Sequence, residues 1–126
     1  MKTEKIYIQH DENKEWTSNL LFYKDEMKVM ENRLAEIASK NTSKEILAQV
    51  EHFQNQLIIQ KENIEILTHE ININNHIINY EIEKNIIAID HRSIKDHCAL
   101  RDNVKSFESN FITFKVEFNA FLSKWM

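Results

Sequence analysis

The stretch TSKEILAQVEHFQNQLIIQKENIEILTHEININNHIINYEIEKNIIAI, Thr42 to Ile89, decides the fold. Its apolar residues fall at Ile46, Val50, Phe53, Leu57, Ile64, Leu67, Ile71 and Ile78, with Gln60 and Asn74 filling the two gaps. The steps alternate between four and three, which is the a/d seam of a long amphipathic helix and not the two-residue alternation of a strand. The stretch carries a second line as well. Ile59, Ile66 and Ile73 recur every seven residues, with His52 and Tyr80 at either end. A helix buried on one narrow seam needs no such line. It predicts a second neighbour in the bundle or a partner chain. Beyond Ile78 the register slips to Ile82, Ile86 and Ile89, and the asparagines at 72, 74, 75 and 79 are weak helix formers. The helix is therefore expected to end between Asn79 and Asn85, near residue 84. The alternative breaks it near Asn74–His76 and adds a short helix over 77–89.

The residues upstream repeat the pattern. Trp16, Leu20, Tyr23, Met27, Met30, Leu34 and Ile37 keep the register, and it extends back through Asn13 and Gln9 to Ile6. Phe22 and Val29 flank this seam and widen its apolar face. Helix 1 is predicted over about 3–39, starting at Thr3 or, if the first residues fray, at Asp11. Ser39, Lys40 and Asn41 end it, and Thr42 with Glu45 makes a Thr-x-x-Glu capping box for helix 2. So short a turn makes the two helices antiparallel, with His10 opposite Asn72.

Downstream, Asn85 to Arg92 reads as the second connection, and Ser93 with Asp96 resembles a capping box. Helix 3, about 93–125, carries His97, Leu100, Val104, Phe107, Phe111, Phe114, Phe118, Phe121 and Trp125 in one heptad ladder. Five of the seven phenylalanines lie on it. Each buried Phe contributes roughly 1.5–3 kcal/mol, so the ladder must be covered. The expected architecture is all-α: one domain, 1–126, of three long helices packed up-down-up.

Composition narrows the function. The 126 residues include no Gly and no Pro, where average usage would give about 9 and about 6. Without Gly there is no P-loop, no dinucleotide fingerprint and no nucleophile elbow. The net charge of -4 and the lack of a basic cluster argue against nucleic acid. The opening MKTEKIYIQH has no apolar core of a signal peptide, and no apolar run is long enough for a membrane span. The single cysteine, Cys98, makes no internal disulfide and fits a reducing cytoplasm. It reads as a buried or boundary thiol, its side chain about 100° around the helix from His97. No catalytic residues are expected, so the chain is not read as an enzyme.

The six histidines invite a metal reading. No His-Glu-x-x-His and no Glu-x-x-His occurs. His69 and His76 share a face but stand about 10.5 Å apart along the helix. His52 reads as a surface residue. The fold does gather Gln9, Asn13, Asn74 and His97 into one polar layer, with His10, His76, Asp90, His91 and Asp96 near it. That layer either fixes register, as buried Asn does in coiled coils, or holds zinc or iron through His97 with His10, His76 or His91. The leading expectation is a small cytoplasmic protein-binding or assembly module, self-associating or taking a protein partner through Ile59, Ile66 and Ile73. A metal-binding bundle is the alternative, and a toxin-neutralising or regulatory subunit is a third. Asp25, Lys28, Glu31, Lys61, Glu62, Lys105 and Glu108 read as solvated faces.

Overall fold

The computed structural model describes residues 2–83 and 91–126, and three helices account for nearly all of them. They are α1 (Lys2–Lys40), α2 (Lys44–Glu83) and α3 (His91–Trp125). No strand occurs among the described residues. The absence of Gly and Pro leaves each helix without an internal breaker, so each runs for 35 to 40 residues. α2 passes through Asn72, Asn74, Asn75 and His76 unbroken. The break considered there does not occur, because Ile71, Asn74 and Ile78 continue the buried seam and tertiary packing outweighs weak propensity. The later residues of that alternative helix, with Ile86, Ile89 and Asp90, lie outside the described residues, and so does the side chain of Ile82. α3 starts two residues earlier than the expected Ser93, whose side chain also lies outside them.

The α1–α2 link shows a small correction. α1 runs to Lys40, one residue further than expected, and the turn moves with it. Asn41 donates its side-chain amide to the Ile37 carbonyl at 2.8 Å, and Ser39 donates to the Glu36 carbonyl. These bonds satisfy carbonyls that the helix end leaves open. The first α2 bond runs from Leu47 N–H to the Ser43 carbonyl, so Ser43 takes the N-cap place instead of Thr42.

All ten seam positions of α2, from Ile46 to Ile78, are buried. So is the seam of α1 from Gln9 to Ile37 apart from half-buried Tyr23, and that of α3 from His97 to Phe121. The aromatic ladder fills the half of the core nearer the α1–α2 turn. Phe53 of α2 packs against Phe114, Phe118 and Phe121, with ring centroids 4.9 to 6.0 Å away. Tyr23 of α1 packs against Phe107 and Phe111 at 6.2 and 5.2 Å. Phe22 and Val29 do not widen this core. They are 63% and 56% exposed, because their c positions point away from both neighbouring helices.

Flanking polar contacts give the helix directions. Glu12 meets Arg101 and Glu26 meets Lys115, both pairs separated by 89 residues, so α1 and α3 run parallel. His10 meets Asn75 and Glu31 pairs with Lys61, so α1 and α2 run antiparallel. Phe53 with Phe118 and Asn74 with His97 set α2 against α3 in the same opposed sense. Glu31, Lys61 and Glu108 are thus not simply solvated, since Glu108 accepts a short hydrogen bond from Tyr23. Among the described residues no helix is long and apolar enough to cross a membrane.

Candidate functional site

Two places in the bundle depart from a plain apolar core with a polar surface. The first is the polar layer. Asn13 lies at an a position of α1, Asn74 at a d position of α2 and His97 at an a position of α3. Each occupies a seam place that Leu or Ile would otherwise take, so all three are buried, His97 completely. Asn13 Nδ2 donates to Asn74 Oδ1 at 2.9 Å, and the same oxygen lies 2.8 Å from His97 Nδ1. His97 Nε2 lies 3.2 Å from Glu12 Oε1. Trp16 covers the imidazole, stacked at 5.0 Å between centroids.

Glu12 is held in turn by Arg101, with Nε donating at 2.8 Å and a second guanidinium nitrogen at 2.5 Å. That two-pronged bond is the main reason the Glu12 carboxyl ionises below its ordinary range, and the His97 contact adds to it. The same bond raises Arg101. Burial pushes His97 below the ordinary histidine value, against the pull of Glu12. A neutral His97 has one N–H to share between two neighbours. If the Asn74 and Asn13 amides turn over together, Asn74 donates to His97 Nδ1 and to Asn13 Oδ1, and His97 Nε2–H donates to Glu12. If His97 is charged, it donates to both sides as placed. The contacts among Asn13, Asn74, His97 and Glu12 can therefore be kept with or without the extra proton, by reorienting two amides, while the other atom of the Asn13 amide has no partner among the described residues.

The histidines named from the sequence separate here. His97 is the centre of the layer. His10 lies beside it, its Nδ1 3.0 Å from Asn75 Oδ1, and Asn72, the residue expected opposite it, borders the same depression. His76 is exposed on the outer side of α2, and the side chain of His91 lies outside the described residues. Both ring nitrogens of His97 already face partners. Among the described residues no group of three or more His, Cys, Asp or Glu is placed to hold a metal ion. Cys98 is exposed rather than buried, since its b position points outward. Sequence reading missed Glu12, Arg101 and Trp16 as members of the layer. The signal was there: Glu12 and Arg101 stand at g and e positions, which pair across parallel coiled-coil helices.

The second place is the outer line of α2. Ile59, Ile66 and Ile73 are 47%, 56% and 50% exposed. Beside them, between α2 and α3, lie two adjoining depressions of about 260 and 240 Å³ that share Glu70 and Asn103. Ile66 lines one, and Ile73 with Ile77 lines the other. His52 is exposed at the start of the line, in contact with the ring of Phe53.

No protein family, no curated protein and no solved structure matches this chain.

Proposed function

We propose that this chain is a small, non-enzymatic, helical-bundle protein that works in protein–protein interaction or assembly. The observation that carries the reading is the line Ile59, Ile66, Ile73. These three residues are about half exposed, at seven-residue spacing, on a helix whose own seam is already fully buried. The bundle does not use them, yet their spacing is the one that meets a second helix. A row of apolar side chains beside a groove is a common mark of an interaction surface. The single cysteine supports a cytoplasmic setting for it.

The test is site-specific photo-crosslinking. A benzoylphenylalanine at position 66 in the full chain, irradiated in cells, should give one discrete adduct, with itself or with another protein. The same group at the exposed Ser109, on the far side of α3, should give none. A position-66 protein that yields no adduct, and whose mass stays monomeric at all concentrations, would rule out the reading.

A further inference from the structure

Resting on that reading, we infer that the α2–α3 groove receives a basic amphipathic helix from a different protein. The argument is electrostatic. Across the other two interfaces the flanking charges are paired: Glu12–Arg101 and Glu26–Lys115 between α1 and α3, and Glu31–Lys61 between α1 and α2. Among the described residues no ion pair joins α2 to α3. Among the described residues the charges that border this groove and its isoleucine line are all acidic. Glu70 of α2 and Asp96 of α3 line it, and Glu62 stands exposed beside Ile59 and Ile66. None of these three has an ion-pair partner among the described residues. The only cation on α2 between Glu51 and Tyr80 is Lys61, which is turned to Glu31 on the opposite flank.

The groove is also shaped for a helix. Ile66, Ile73 and Ile77 form one wall, while Ala99 and Ser106 on α3 are small enough to let a third backbone approach. Gln60, 7% exposed, lines the same groove with a side-chain oxygen that has no donor among the described residues. From Ile59 to Ile77 the surface runs about 27 Å, which is about 18 residues of helix. A second copy is the poorer occupant. A two-fold pairing of this line with itself sets Glu62 and Glu70 of one copy against the same acidic pair of the other.

The probe is a pair of labelled helical peptides of about 18 residues with the same leucine stripe, one flanked by lysines and the other by glutamates. Fluorescence anisotropy against the full chain should show the lysine peptide bound at least about tenfold more tightly than its twin, with the difference shrinking as salt rises from about 50 to about 300 mM. Ile66→Ser/Ile73→Ser, which touches only exposed side chains, should keep its circular dichroism and lose about tenfold in affinity. Glu62→Lys/Glu70→Lys should reverse the preference. Equal binding of both peptides, lost in the isoleucine variant, would overturn the basic-partner inference while leaving the docking surface intact. Binding of the lysine peptide that ignores both variants would overturn it as surface attraction only. Binding of neither peptide, with a dimer that the isoleucine variant dissociates, would assign the groove to a second copy. Binding of neither peptide, with a monomer and no adduct at position 66, would remove the inference and the docking reading together.

Discussion

Replacing Asn74 and His97, one at a time, by leucine should have opposite consequences, although both sit buried in the same layer. Asn74 is the shared partner of Asn13 and His97. Asn74→Leu strands both, and each buried polar group left without a partner costs about 1–3 kcal/mol. Burying the new leucine returns roughly 1.5–3 kcal/mol. The net loss is on the order of 2 kcal/mol, or a fall of roughly 6–10 °C in melting temperature for a chain of this size. His97→Leu strands nothing comparable. Asn74 keeps Asn13, and Glu12 keeps both bonds to Arg101. Stability should hold or rise. The decisive quantity is the coupling. In Asn74→Leu/His97→Leu the stranded imidazole is gone, so the double variant should be about 1–3 kcal/mol more stable than the sum of the single changes. Any crowding by the leucine at position 74 is common to both arms of the cycle and largely cancels. Urea unfolding at pH 7.5, followed by circular dichroism, measures all four proteins. A coupling within about 0.5 kcal/mol of zero, the scatter expected of independent sites, would refute the shared-acceptor geometry.

Acid should destabilise the fold in two stages. His97 is depressed in the folded state by burial, so the unfolded chain binds its proton first; the stability is complete above the ordinary value of 6.5 and is lost as pH falls below it. Glu12, also depressed, loses its contribution as pH falls through and below 4.5. His97→Leu should flatten the melting temperature between about pH 7 and pH 5 while leaving the lower stage in place. In an alkaline titration followed at 295 nm, Tyr23 should ionise late, pushed up to about 12 by burial and by the Glu108 carboxylate, and Glu108→Gln should bring it down. Phe111→Ala should cost about 3–5 kcal/mol, and Phe22→Ala less than about 0.5 kcal/mol, because the first ring is buried and the second lies in solvent. Native mass spectrometry of untagged protein, with melting in chelator, addresses zinc or iron at His97. The expected result is a metal-free mass and an unchanged melt, and a fall in chelator would put an ion there.

Much of the architecture was carried by periodicity alone. The alternating steps of four and three mark the buried positions of all three helices, including the unusual ones: Gln60, Asn74 and His97 fall on the seam by spacing alone, and they are buried. The reason is local. A helix fixes which residues share a face, so a heptad pattern states what must be covered whatever covers it. The lack of Gly and Pro likewise settled that the helices would be long. Tertiary structure alone decided the register between helices. His10 bonds to Asn75, one turn beyond Asn72, and both asparagines border one depression with it. Only the third dimension showed that Glu12 and Arg101 join His97 from two other turns of helix, that Phe22 and Val29 stay largely in solvent, and that Ile59, Ile66 and Ile73 stay about half exposed. Pairing across helices depends on distances between residues far apart in the chain. Sequence spacing within one helix does not contain them.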